Sequence, residues 1–189
     1  PVVASSGIYS VGNFNRVRRN RLGRTASVCT RQIIEKAEER ELQNRTQIET
    51  EAERVCNYVE SRSNAIYPHM SEKSREGMNN YAKSQLFLDD LRKIAGAAGQ
   101  IFAKESRVLE LSSPLYVFGD LHGNLDDLHF FSENLWTFGM GLTAGSFVCL
   151  GDYVDRGFYG LEVAGYLLAQ KVLRPNKIFM LRGNHETRA

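Results

Sequence analysis

Apolar residues follow two different rhythms along this chain. From about Arg31 to Glu60 there is neither Gly nor Pro, and Ile34, Ala37, Ile48, Ala52, Val55 and Val59 recur at helical spacing among Glu and Arg. That pattern predicts one long amphipathic helix, with Thr30 as its N-cap. The stripe is interrupted by Arg45 and is too thin for a coiled coil, so packing on the parent domain or on a partner is expected. Residues 61–79, with Tyr67-Pro68 and Gly77, read as a linker. Helical spacing returns over Tyr81 to Lys104, with Leu88, Leu91, Ile94, Ile101 and Phe102 as core candidates, and Gly96 and Gly99 predict a division into two shorter helices.

Beyond Pro114 the rhythm changes to short continuous apolar runs. Leu115 to Phe118, Ser146 to Leu150 and Lys177 to Leu181 are predicted strands, separated by a helix that Asn124 caps and that continues to about Glu133, and by a second helix near Leu161 to Lys171. Strands alternating with helices predict an α/β fold with a parallel sheet, and runs this apolar are expected where helices cover both faces.

Each run ends in glycine followed by a polar residue able to hold a metal: Gly119-Asp120, Gly151-Asp152 and Gly183-Asn184, each pair 32 residues after the one before. That is about the length of one βαβ step. Asp120, Asp152 and Asn184 should therefore reach the same sheet edge, where open α/β sheets bind ligands.

The surrounding segments, GDLHG (119–123), GDYVDRG (151–157) and RGNHE (182–186), carry the rest of a metal-assisted phosphoester chemistry. Two cations about 3.5 to 4 Å apart clamp phosphoryl oxygens and activate a water, which requires hard oxygens, imidazoles and one shared ligand. Asp120 and His122 can reach one cation, Asp152 is placed to bridge, and Asn184 offers an amide oxygen to the second. Imidazole, carboxylate and amide together favour Mn, Fe or Zn over Mg or Ca. Arg156 provides a planar fork for phosphate. His185 is a candidate general acid, and Asp155 can hold its other ring nitrogen. A lone Gly-Asp after a strand is commonly only a turn; three co-spaced motifs, each with its own charged groups, are not. His129 reads as structural or surface, and His69 is uninformative.

The three motifs resemble those of the PPP family of metal-dependent serine/threonine protein phosphatases, within the calcineurin-like metallophosphoesterases. The resemblance covers roughly Tyr81 to Ala189 and includes Leu109-Glu110-Leu111, Gly160-Leu161-Glu162 and Leu167 to Pro175. It implies a metallophosphoesterase β-sandwich with flanking helices, of which residues 81–189 form the N-terminal half. It also implies two metal ions, the first on Asp120, His122 and Asp152 and the second on Asp152 and Asn184. His185 is then the acid with Asp155 behind it, Arg156 binds phosphate, and a metal-bound hydroxide attacks phosphoserine or phosphothreonine. Family members draw further histidines and an arginine from later in the domain, so the segment by itself is expected to be inactive. A dinucleoside polyphosphate hydrolase of the same superfamily, or a scaffold in a cytoskeletal or ciliary assembly, are the competing readings.

Composition adds the remaining expectations. A chain of 189 residues, 42% hydrophobic and 24% charged, is that of a globular protein. No apolar run reaches the ~18 residues of a membrane span, and three scattered cysteines, Cys29, Cys56 and Cys149, suit a reducing compartment; the expected location is the cytoplasm, with cytoskeletal association compatible. Cys149, inside a strand, reads as a small buried hydrophobe. The net charge of +2 conceals a basic arm: residues 1–30 carry Arg16, Arg18, Arg19, Arg21 and Arg24 and no acidic residue. Such an arm suits an acidic surface in a protein assembly in preference to nucleic acid or membrane, the plain alternative being a solvated tail. The chain starts without Met and stops just after a catalytic-looking motif, so it is expected to be part of a longer protein.

Overall fold

The computed structural model describes residues 28–62, 77 and 80–187. The arm at 1–30 lies outside this range except for its last three residues, and so does the linker at 61–79 except for 61, 62 and 77. In chain order the elements are α1 (Val28–Ser61), α2 (Gln85–Phe102), β1 (Leu115–Phe118), α3 (Leu125–Asn134), β2 (Ser146–Cys149), α4 (Gly160–Leu173) and β3 (Ile178–Met180). The chain divides into two units, Pro1–Asn44 and Arg45–Ala189. In the first, the described residues are the leading part of α1, with Ile33 and Leu42 exposed. That helix begins at Val28, so Thr30 falls inside its first turn and not at the N-cap.

In the second unit the three strands form a parallel sheet in the order β1-β2-β3. Phe118 pairs with Cys149 and Cys149 with Met180, so all three strands finish on one level. The core gathers Phe147 and Ile178 from the sheet, Ile94 from α2, Leu125 and Leu128 from α3, and Val163, Tyr166 and Leu167 from α4. The last part of α1 joins the same core through Ala52, Val55, Tyr58 and Val59. Its polar attachments are equally specific: Arg54 Nη1 lies 2.6 Å from Asp90 Oδ2, which also accepts the Tyr81 hydroxyl at 2.7 Å. Asp90 is fully buried, and a buried carboxylate requires such partners because its desolvation cost is several kcal/mol. Tyr58, Tyr81 and Phe87 meet edge to face, with centroids 5.2 to 5.6 Å apart.

Leu88, read as a core position, is exposed on α2, and two larger expectations also fail here. The first concerns α2, which runs unbroken through Gly96 and Gly99. Its apolar face is buried at Phe87, Ile94 and Ala98 and packs on α4, and this tertiary burial outweighs the ~1 kcal/mol that each interior glycine costs in helix propensity. A Cβ at either glycine would meet nothing within 4 Å. Gly96→Ala and Gly99→Ala are thus expected to raise stability by about 0.5 to 1 kcal/mol each, read as a higher urea midpoint with unchanged slope.

The second is the covering of both sheet faces. Tyr116 and Phe118 point into the core, whereas Leu115 and Val117 on the opposite face of β1 are 37% and 58% exposed. Among the described residues, helices cover the Tyr116 side and leave the Val117 side of β1 exposed.

One buried charge ties α4 to the sheet. Lys171 is completely buried, and its Nζ donates to the Glu105 carboxylate, to Pro175 O at 2.9 Å and to Ile178 O at 2.8 Å. It also lies 4.9 Å from the ring centre of Phe179 and 5.6 Å from that of Phe102, so all three of its N–H donors and its charge are satisfied. Cys149 is buried as expected, and burial pushes its thiol up to about 12, out of reach of the thiolate chemistry that makes a cysteine reactive. His129 is structural: its Nε2 pairs with Val59 O at 2.9 Å, joining α3 to α1.

Candidate active site

The three parallel strands release their chains at the same edge, and the loops that follow are stitched to one another through the main chain. Leu121 and His122 both donate their N–H to Asp152 O, at 3.1 and 2.8 Å, and Gly123 N–H donates to Tyr153 O at 2.8 Å. Gly157 N–H returns to His122 O at 2.9 Å. Asn124 closes the first loop as the N-cap of α3, its Oδ1 accepting from Asp127 N–H at 3.1 Å. Contact is close at Gly151, which has φ of 120°; a Cβ there would sit 2.3 Å from Gly183 N. Only glycine allows the second and third loops to touch backbone to backbone in this way.

Left-handed backbone is concentrated in these loops. The four non-glycine residues with positive φ among those described are His122 (43°), Asp152 (53°), Asp155 (66°) and Arg156 (62°). Each such residue costs about 1 to 3 kcal/mol and persists only where the surroundings over-determine it. All four belong to the candidate set read from the sequence.

His122 is the centre of the arrangement. Its Nδ1 is 2.8 Å from Val154 O, and because a carbonyl only accepts, Nδ1 carries the proton and Nε2 of the neutral ring keeps a lone pair. That Nε2 is buried with no hydrogen-bond partner. It faces Asp120 Oδ2 at 3.7 Å and Asp152 Oδ2 at 3.9 Å. An unpaired buried acceptor between two carboxylates is costly unless a cation joins them. These separations suit three ligands around one ion at about 2.0 to 2.2 Å from each. The donor set therefore fits the metal that its chemistry calls for.

The other predicted residues surround this centre. One ligand atom of His185 lies within 4.8 Å of those of His122 and Asp152, and the two imidazoles meet edge to face with centroids 4.7 Å apart. His185 Nδ1 is 2.9 Å from Asp155 Oδ2, and its N–H donates to Asp152 Oδ1 at 2.9 Å. The structure thus brings together Asp120, His122, Asp152, Asp155 and His185. Asn184 and Arg156 are exposed on the third and second loops, next to His185 and Asp155 respectively.

Two residues had no role in the sequence reading. Glu186 stands in RGNHE, and its carboxylate accepts three main-chain N–H groups: Asp152 at 2.8 Å and Gly183 at 2.9 Å on Oε2, and Tyr153 at 2.8 Å on Oε1. Tyr153 places its hydroxyl 2.6 Å from Leu181 O and 3.1 Å from Cys149 O, linking the ends of β2 and β3. Burial, followed by the nearby Cys149 and Glu186, pushes that phenol well above its ordinary range, so it stays a donor. No side-chain pattern signals this role, because the partners of Glu186 are main-chain N–H groups.

The C-terminal part of the chain is similar in sequence to known phosphoesterases. Residues 113–189 match the calcineurin-like phosphoesterase family. The chain is 42% identical to serine/threonine-protein phosphatase BSL2 of Arabidopsis thaliana over 55% of its length and 11% of that protein's. It is 39% identical to the serine/threonine-protein phosphatase 6 catalytic subunit of Drosophila melanogaster over 53% of its length and 32% of that protein's. It therefore spans a third or less of these relatives. A Saccharomyces cerevisiae protein serine/threonine phosphatase structure, described as similar to human PP5, aligns at 32% identity with a TM-score of 0.42, over 62% of this chain and 39% of that one.

Proposed function

We propose that this chain belongs to the PPP-type serine/threonine phosphatases of the calcineurin-like phosphoesterase group, whose family model matches residues 113–189, and that the protein hydrolyses phosphoserine and phosphothreonine in proteins. The observation that carries this reading is the unpaired, buried Nε2 of His122, held between Asp120 and Asp152 with its tautomer selected by Val154 O. Asp120, His122 and Asp152 would hold one cation, and Asp152 with Asn184 would contribute to a second. Bound divalent ions supply positive charge for the phosphoryl oxygens and lower the pKa of water at the site.

The remaining steps fall to the chain's own side chains. Arg156, permanently charged at the exposed tip of the second loop, orients the phosphate through its planar fork. Asp155 holds His185 at Nδ1, which fixes the ring and leaves Nε2 to deliver a proton to the departing serine or threonine oxygen. The N–H of His185, bonded to Asp152 Oδ1, keeps the proton donor in register with the metal ligand.

The test compares full-length protein on a phosphothreonine peptide and on diadenosine tetraphosphate, each with Mn2+ and with EDTA. Metal-dependent release of phosphate from the peptide, at least tenfold faster than turnover of the dinucleotide, is expected. Preference for the dinucleotide would transfer the site to the polyphosphate hydrolases, and no turnover of either would leave a scaffold.

A further inference from the structure

Among the described residues, Glu186 is the carboxylate whose main-chain contacts span the second and third loops. Its two oxygens receive the N–H groups of Asp152 and Tyr153 from the loop after β2, and that of Gly183 from its own loop after β3. In the opposite direction Asp152 Oδ1 receives the N–H of His185. The two loops therefore clamp each other reciprocally, side chain to main chain both ways. The clamp closes where the main chains approach closely, since a Cβ on Gly183 would lie 2.4 Å from Asp152 N.

Asp152 needs such a restraint. It is held at φ of 53°, a left-handed conformation that a free loop containing aspartate would leave for the ordinary α or β regions. Relaxation would turn its carboxylate away from His122 Nε2. Two successive N–H groups, those of Asp152 and Tyr153, converge on one carboxylate, which forms a small anion-binding nest whose anion is built into the chain. Hydrogen bonds from N–H to a charged carboxylate are about twice as strong as neutral ones.

We propose that Glu186 is a positioning residue for the metal centre. It touches neither substrate nor metal, and it acts by holding Asp152 in the left-handed conformation that turns its carboxylate toward His122. The inference rests on the metal-site reading above and concerns how that site is preorganised. Groups that orient a metal ligand typically change metal affinity by about 10 to 100-fold when removed.

Glu186→Gln in the full-length protein separates this role from bulk. The glutamine has the same shape but a single acceptor atom, so whichever way its amide turns, the NH2 meets the N–H of Tyr153 or those of Asp152 and Gly183, donor against donor. Calorimetric titration with Mn2+ is expected to show affinity lower by about tenfold or more, with KM for the phosphopeptide within twofold of wild type. Hydrogen exchange on the metal-free protein is expected to be at least tenfold faster at the amides of 152, 153 and 183 and unchanged in α2 and α4. Wild-type Mn2+ affinity in the variant, or unchanged exchange at those three amides, overturns the proposal. Faster exchange throughout α2 and α4 also overturns it, because Glu186 would then be a general structural residue. A wild-type protein that takes up no Mn2+ sinks the metal reading itself, and the exchange data still decide whether the carboxylate holds the loops.

Discussion

Asp152→Asn is expected to lower kcat/KM by more than about a hundredfold, with Mn2+ affinity falling by a comparable factor, since loss of a ligand costs more than loss of a group that only orients one. No other residue joins so many parts of the site. Its main-chain oxygen receives Leu121 and His122, its N–H goes to Glu186, its Oδ1 receives His185, and its Oδ2 faces His122 Nε2. Asparagine preserves the shape and one acceptor oxygen, so the loops stay stitched while the negative charge disappears. Without metal, two carboxylates share the surroundings of one imidazole, and removing one relieves their repulsion. Thermal unfolding of the metal-free variant is accordingly expected at or above the wild-type temperature. A catalytic loss below tenfold, or a Tm that falls together with activity, would refute the role given to this carboxylate.

Lys171→Met is expected to remove about 3 to 5 kcal/mol of stability, a large part of the ~5 to 15 kcal/mol available to a domain. Methionine can follow the path of the lysine stem, but the Glu105 carboxylate and the carbonyls of Pro175 and Ile178 lose their shared donor. The attraction between the ammonium and the rings of Phe102 and Phe179 goes as well. Urea unfolding followed by circular dichroism gives the value directly. In the double variant Lys171→Met, Glu105→Gln the loss is expected to be smaller than the sum of the single losses, because neutralising Glu105 removes the charge left unpaired. A loss under about 1 kcal/mol for Lys171→Met alone would mean that water replaces the ammonium.

The strands and the gathering of Asp120, His122, Asp152, Asp155 and His185 at their ends were legible because both are local signals. Leu115–Phe118 was located to the residue, and the other two strands to within one residue at each end, since short continuous apolar runs ending in glycine leave little choice of register. Asn124 was legible as a cap for the same reason. The unbroken α2 was not, because propensity at Gly96 and Gly99 carries no information about the burial of Phe87, Ile94 and Ala98 against another helix. The open Val117 face was hidden too: an apolar run looks the same whether one or both of its faces are covered. Glu186 was invisible as a positioning group, since its partners are main-chain N–H groups, which every residue but proline possesses and which no side-chain pattern records.

The sheet order β1-β2-β3 repeats the order of the strands in the chain, and this bears on how the protein is made. During synthesis β2 and then β3 each meet a neighbour in this sheet that precedes them in the chain. At translation rates of roughly 5 to 20 residues per second, a 32-residue step takes about 2 to 6 s, far longer than the microseconds in which a helix forms. The loops bearing Asp120 and Asp152 can therefore be apposed before Asn184 and His185 are translated. Glu186 follows directly after them, so the residue that locks the earlier loops emerges once there is something to lock.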